Sequence, residues 1–213
     1  MWRGQSRRAM NEPTYPLLSV ARLRMGTDGE GVTSLVAGAG CPLRCRWCIN
    51  ARMLREAPAE RVTAPELLKR VRADDLYYRA TGGGVTFGGG ESLLHAGFIS
   101  RFRELCPLEW KVRAETSLAV PPELLEEALT AVDGFIVDCK DMDPELYRRY
   151  TGGDAALMQR NLKRLLEAAG PERVTVRVPL IPEFNTPEDR ERSAERLRAM
   201  GVTRLDLFEY VKR

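Results

Sequence analysis

Val32-Thr33-Ser34-Leu35-Val36-Ala37-Gly38-Ala39-Gly40-Cys41-Pro42-Leu43-Arg44-Cys45-Arg46-Trp47-Cys48 is one strand that runs out into one cysteine loop, and the chain after it repeats the plan of strand, polar turn and helix. Val32 to Ala37 has the β-branched and apolar content of a buried strand. Thr63 with Glu66 three positions later reads as the start of a helix reaching about Ala73. Gly82, Gly83 and Gly84 break the chain before a very short strand, Val85 to Phe87, which ends in Gly88-Gly89-Gly90. Helices expected over 96–105, 121–131, 155–169 and 187–200 then alternate with strands over 110–115, 135–137, 173–180 and 204–208. Six strands separated by helices imply an α/β fold with parallel pairing and right-handed crossovers. Two architectures satisfy this, a Rossmann-type sheet and a partial (β/α)6 barrel, and the barrel is the expectation carried forward. Cys41, Glu91, Glu115, Asp138 and Lys140 fall at strand ends, and either architecture gathers such residues at its C-terminal rim.

The 213 residues fit one domain, expected over 17–213, with mass enough for a real core. Residues 1–16, carrying Arg3, Arg7 and Arg8, read as a disordered basic leader. A net charge of only +3 demands neither nucleic acid nor an anionic membrane as partner. No apolar run approaches the ~18 residues of a membrane span, and no signal peptide is evident. A cytoplasmic protein with reduced thiols is therefore expected. The five cysteines are an odd number, which argues against a disulfide framework.

Three of those cysteines, Cys41, Cys45 and Cys48, lie within eight residues. Thiolates are soft ligands that suit iron–sulfur clusters or zinc. Electron-transfer clusters are held by four cysteines, so three on one loop leave one iron of a cubane cluster free to bind substrate. Structural zinc is the alternative, with Cys106, Cys139 or His95 as its fourth ligand. Trp47, between two of the cysteines, would shield the loop from water. Arg177, in an apolar strand, needs a buried anion such as Asp138 or a bound carboxylate.

The spacing of Cys41, Cys45 and Cys48 resembles that of the radical S-adenosylmethionine enzymes. The resemblance implies a [4Fe-4S] cluster, S-adenosylmethionine chelated at the open iron, and a 5′-deoxyadenosyl radical that abstracts hydrogen. Gly88-Gly89-Gly90-Glu91-Ser92 resembles the family's Ser-Gly-Gly-Glu-Pro, which implies that Gly89, Gly90 and Glu91 meet the cofactor's ammonium through backbone and carboxylate. Trp47 is then also an adenine neighbour. The branch it is most similar to is that of the glycyl-radical-enzyme activating enzymes. Asp28-Gly29-Glu30-Gly31-Val32, Cys48-Ile49-Asn50, Asp138-Cys139-Lys140-Asp141-Met142-Asp143, Tyr150-Thr151-Gly152 and Arg177-Val178-Pro179-Leu180-Ile181-Pro182 resemble segments of that branch. By that resemblance Asn50 and Arg177 are cofactor-side residues. Glu115, Thr116 and Asp138 border adenosylmethionine and a monovalent cation, and Asp138 and Lys140 approach the reactive centre. A glycyl radical enzyme as protein substrate and an electron donor of flavodoxin or ferredoxin type are implied as partners. Gly88 and Ser92 depart from the family pattern, the eight-cysteine insert is absent, and Tyr210 is followed by Val211 rather than histidine. A more open barrel is the expectation from these departures. The alternatives are a radical enzyme acting on a small molecule, as 7-carboxy-7-deazaguanine synthase does, and a non-enzymatic cluster or zinc protein.

Overall fold

A computed structural model describes residues 12–210. Eight strands form one sheet: β1 (Thr14–Met25), β2 (Val32–Gly38), β3 (Glu60–Thr63), β4 (Gly84–Gly89), β5 (Lys111–Thr116), β6 (Gly134–Asp138), β7 (Val174–Leu180) and β8 (Arg204–Glu209). The helices are α1 (Ala51–Glu56), α2 (Ala64–Val71), α3 (Asp75–Thr81), α4 (Ala96–Leu105), α5 (Pro122–Leu129), α6 (Pro144–Thr151), α7 (Ala155–Ala169) and α8 (Pro187–Ala199). The order across the sheet is β3-β1-β2-β4-β5-β6-β7-β8. From β2 through β4 to β8 every neighbouring pair is parallel, and the strands follow in chain order with only β3 set aside at the far edge. This settles the choice left by the sequence. A doubly wound sheet reverses its strand order at a switch point. Here the order never reverses, so the six strands curl one way as a partial (β/α)6 barrel. β8 and β3 are the sheet's two edges, so the barrel stays open.

The six expected strands are all present, and the helices over 96–105 and 155–169 fall within the expected bounds. Glu66 accepts the Thr63 amide at 2.8 Å, as the capping signal implied. Buried positions in α7 recur at Met158, Leu162, Leu165 and Ala169, the helical period that turns one face onto the sheet. Five elements had no reading in the sequence: β1, β3, α1, α3 and α6. β1 matters most for the leader, because Thr14, Tyr15 and Pro16 belong to the sheet and pair with β3. The expected boundary at 16 is thus too late. Residues 1–11, with Arg3, Arg7 and Arg8, lie outside the described residues.

Helices pack on the outer face, where Phe87, Phe98, Phe102, Leu125, Leu162 and Val176 are wholly or nearly buried. That close-packed layer fixes the strands, and the strands in turn aim their C-terminal ends at one rim. No helix among the described residues is long and apolar enough to cross a membrane.

Candidate active site

The rim begins with the loop after β2. Cys41, Cys45 and Cys48 are free thiols, each partly buried. The loop has no regular structure of its own, so other elements hold its backbone. The Arg44 amide donates to the Thr151 carbonyl at 2.8 Å and the Arg46 amide to that of Tyr150 at 3.0 Å. Both carbonyls lie at the C-terminal end of α6, where a helix has acceptors to spare. The Trp47 carbonyl accepts from the Tyr210 hydroxyl at 2.5 Å and the Tyr150 hydroxyl at 3.4 Å. Phe184 stands edge-on to the rings of both Trp47 and Tyr150. These aromatics pack together beside the cysteine loop. Tyr150, Phe184 and Tyr210 went unassigned in the sequence as site residues. Only the Tyr-Thr-Gly resemblance at 150–152 pointed toward the first.

The second wall is Gly88–Ser92, after β4. Here Gly90 and Glu91 donate their amides to the carbonyls of Gly38 at 3.0 Å and Gly40 at 2.8 Å. A Cβ on Gly90 would overlap the Gly40 carbonyl oxygen, so only glycine lets the two turns close on each other. Asn50 ties the cysteine loop to the same turn, donating from Nδ2 to the Gly89 carbonyl at 2.7 Å. Glu91 is 1% exposed, and both carboxylate oxygens are engaged. Oε1 accepts from the Thr116 hydroxyl at 2.6 Å and the Leu93 amide at 3.2 Å. Oε2 accepts from the Ser117 hydroxyl at 2.6 Å and amide at 2.8 Å. Burial pushes the Glu91 carboxyl up, and its Ser117, Thr116 and Leu93 donors pull it back. The carboxylate therefore faces the start of the β5–α5 connection, not an open site. Thr116 likewise faces Glu91. Ser117, a central donor here, went unnoticed, although its place in the polar run Glu115-Thr116-Ser117 was the available signal.

The third element is a charged network inside the barrel. Arg177 on β7 donates to Glu115 Oε1 at 2.9 Å, with Asp138 at 3.9 Å and Asp206 at 3.8 Å. It also donates to the Thr27 carbonyl. The buried guanidinium thus finds its principal anion in Glu115, which sequence reasoning did not pair with it. Lys140 Nζ binds Asp138 Oδ2 at 3.0 Å. Burial alone would discharge Lys140, but Asp138 outweighs it and the ammonium is held well above its ordinary range. Burial pushes Glu115 up to about 7, with Arg177 opposing and Asp138 and Asp28 adding to the rise.

Cys106 and Cys139 are buried in the core, and His95 Nε2 lies 2.9 Å from the Ala39 carbonyl. None of the three candidates for a fourth zinc ligand stands free beside the loop. Three soft thiolates on one loop are a donor set that fits a cluster. Burial raises the thiols of Cys41 and Cys45, with Glu91 and Cys48 adding to the rise at Cys41 and Cys48 and Cys41 at Cys45. Tyr147 contributes a buried hydroxyl without a hydrogen-bond partner among the described residues, close enough to feel Cys139, Cys45, Glu91 and Lys140. An orphaned polar atom at such a place fits a polar occupant.

Three soft ligands on one loop, a glycine turn against them and a barrel rim behind them define an iron–sulfur enzyme of the partial-barrel class. The Radical SAM superfamily model matches residues 35–197, and the chain belongs to that superfamily. Its cofactors are a [4Fe-4S] cluster and S-adenosylmethionine, which the reduced cluster cleaves to a 5′-deoxyadenosyl radical. The pyruvate formate-lyase 2-activating enzyme of Escherichia coli is 30% identical over 86% of this chain and 73% of its own length. The benzylsuccinate synthase activating enzyme of Thauera aromatica is 31% identical, over 92% of this chain and 78% of its own. The aligned part spans 41% of the indoleacetate decarboxylase activating enzyme of Tractidigestivibacter scatoligenes and 79% of the isethionate sulfite-lyase activating enzyme of Oleidesulfovibrio alaskensis. The fold is shared with SuiB of Streptococcus suis, with a TM-score of 0.64 at 14% identity over 84% of this chain and 40% of that one.

Proposed function

We propose that this chain activates a partner enzyme by abstracting hydrogen from one of that enzyme's backbone glycines. The observation that carries this reading is similarity over most of the chain to relatives named as activating enzymes. Those names favour a protein substrate over the small-molecule alternative.

Cys41, Cys45 and Cys48 hold the cluster in this reading. The main chain of Gly89 and Gly90 receives the ammonium of adenosylmethionine, since carbonyl oxygens can replace its water. Glu91 and Thr116 act from behind, fixing that turn, while Asn50 locks it to the cysteine loop. Trp47, backed by Phe184, excludes water on the adenine side. Glu115 sets the position of Arg177, and Asp138 keeps Lys140 charged and aimed at the reactive centre. A monovalent cation beside Asp138 would share that carboxylate with Lys140.

The glycine has to arrive on an exposed or locally unfolded loop, so ordering that loop costs free energy and the isolated partners bind weakly. An electron donor of flavodoxin or ferredoxin type and a cytoplasmic location complete the reading, the latter supported by five free cysteines. The test is electron paramagnetic resonance after anaerobic incubation of the reduced, reconstituted enzyme with adenosylmethionine and a glycyl radical enzyme of the same organism. A glycyl doublet on the partner is expected. Cofactor cleavage without that doublet in every such enzyme the organism encodes would overturn the proposal.

A further inference from the structure

The end of the barrel opposite the cysteines holds a cavity of about 770 Å³ at the N-terminal ends of β5 to β8. That volume lies within the range of small-molecule sites, about 300–1,000 Å³. Five basic side chains line it, Arg103, Lys111, Arg113, Arg173 and Arg204, against three acidic ones, Glu30, Asp133 and Glu172. The excess of positive charge is not neutralised pair by pair. Glu30 binds Arg204 at 2.7 Å. Asp133 accepts the Val112 amide at 2.8 Å and lies 3.5 Å from Arg103. Arg173 donates to the carbonyls of Leu129, Val132 and Asp133. Arg113 is left over. Its Nη1 is buried with no hydrogen-bond partner among the described residues.

Arg113 is also held in place. It rises from β5 and packs against Gly29, where a Cβ would stand 2.5 Å from its Cδ. The Asp28-Gly29-Glu30-Gly31 segment thereby gains a role, since Gly29 gives the guanidinium room and Glu30 restrains Arg204 beside it. Arg113 is partly buried, its charge is felt by Glu30 and Asp133, and its buried Nη1 still lacks an acceptor among the described residues; an oxyanion is the complement of such a donor. Residues 1–11 contain no Asp or Glu that could serve.

We propose that this floor cavity binds a small anion through a phosphate or carboxylate group, with Arg113 as its principal contact and Lys111 at the mouth. The site is separate from the cysteine rim and does not depend on which substrate the radical attacks.

The experiment is calorimetric titration of the reconstituted holoenzyme with inorganic phosphate and, separately, with succinate, at constant ionic strength. Saturable binding of at least one anion is expected, and which of the two binds assigns the group as phosphate or carboxylate. Arg113→Gln should weaken binding by about ten- to a hundredfold, the range for a charge-assisted hydrogen-bonded contact. Lys111→Gln, at an exposed position that tolerates change, should weaken it several-fold and serves if Arg113→Gln does not fold. Iron content and deoxyadenosine formation should stay unchanged in both variants. Absence of saturable binding by either anion, or wild-type affinity in Arg113→Gln and Lys111→Gln, would overturn the proposal.

Discussion

Glu91, in the turn after β4, and Glu115, at the end of β5, are carboxylates with opposite surroundings. Glu91 has four donors and Glu115 has one guanidinium. Glu91→Ala removes the acceptor shared by the Thr116 and Ser117 hydroxyls and the Ser117 and Leu93 amides, at a cost of about 2–4 kcal/mol. Thermal melting of the reconstituted protein should drop by several degrees, and adenosylmethionine should bind more weakly because the glycine turn loosens. Unchanged melting would contradict the role given to Glu91. For Glu115 the expected effect is a pH dependence. Its folded value, about 7, lies above the ordinary 4.5, so between these values the folded chain holds a proton that the unfolded chain has released. The stability contributed is full below about pH 4.5 and is lost as pH rises through 7. Wild type should therefore lose on the order of 2–3 kcal/mol relative to Glu115→Gln between pH 5 and 8. Parallel pH profiles for the two proteins, from chemical unfolding, would rule this out. Gly88, a departure from the family's serine, belongs with the same residue. A Cβ there would stand 2.6 Å from Glu115 Oε2, the far end of a side chain that can shift, so the contact does not require a glycine at this position. The cysteine loop and the glycine turn stood out in the sequence, their cofactor roles resting on the resemblance. The pairings across the barrel did not, because Thr116 and Ser117 lie 25 and 26 residues from Glu91 and Glu115 lies 62 from Arg177, with no local signal.

At the scale of elements, α6 links packing to cluster binding. Asp143 caps it, accepting the amides of Glu145 at 2.9 Å and Leu146 at 3.0 Å. Its other end supplies the carbonyls that hold Arg44 and Arg46. Asp143→Ala should cost about 1 kcal/mol of stability, and the frayed helix should release the cysteine loop. Faster loss of iron to a chelator, followed by visible absorbance, is the check, and a rate equal to wild type would separate the helix from the loop. α6 was not read from the sequence because Tyr147, Tyr150 and the arginines between them give only two turns of pattern. β1 was missed for a different reason. Pro16 discourages a strand reading, and Leu23, at φ 56°, sits where the pairing with β2 shifts register. Tertiary pairing with β2 and β3 overrides both local signals. The longer, strongly periodic α4 and α7 needed no such help.

The molecule as a whole separates its two charged regions along the strand axis. Strands that begin at Lys111, Gly134 and Arg204 meet the basic floor cavity, and the same strands end at the rim with Thr116, Asp138 and Glu209. The barrel's openness between its edges leaves the rim accessible to something larger than a metabolite, which suits a partner's loop. The central claim is that the adenosyl radical takes its hydrogen from a protein glycine. The most direct measurement uses a glycyl radical enzyme of the same organism, prepared with α-deuterated glycine and incubated anaerobically with the reduced holoenzyme and adenosylmethionine. Deuterium is expected in the 5′-deoxyadenosine, in proportion to the glycyl radical formed on the partner. Deoxyadenosine that carries no deuterium while the partner stays free of radical would contradict the account.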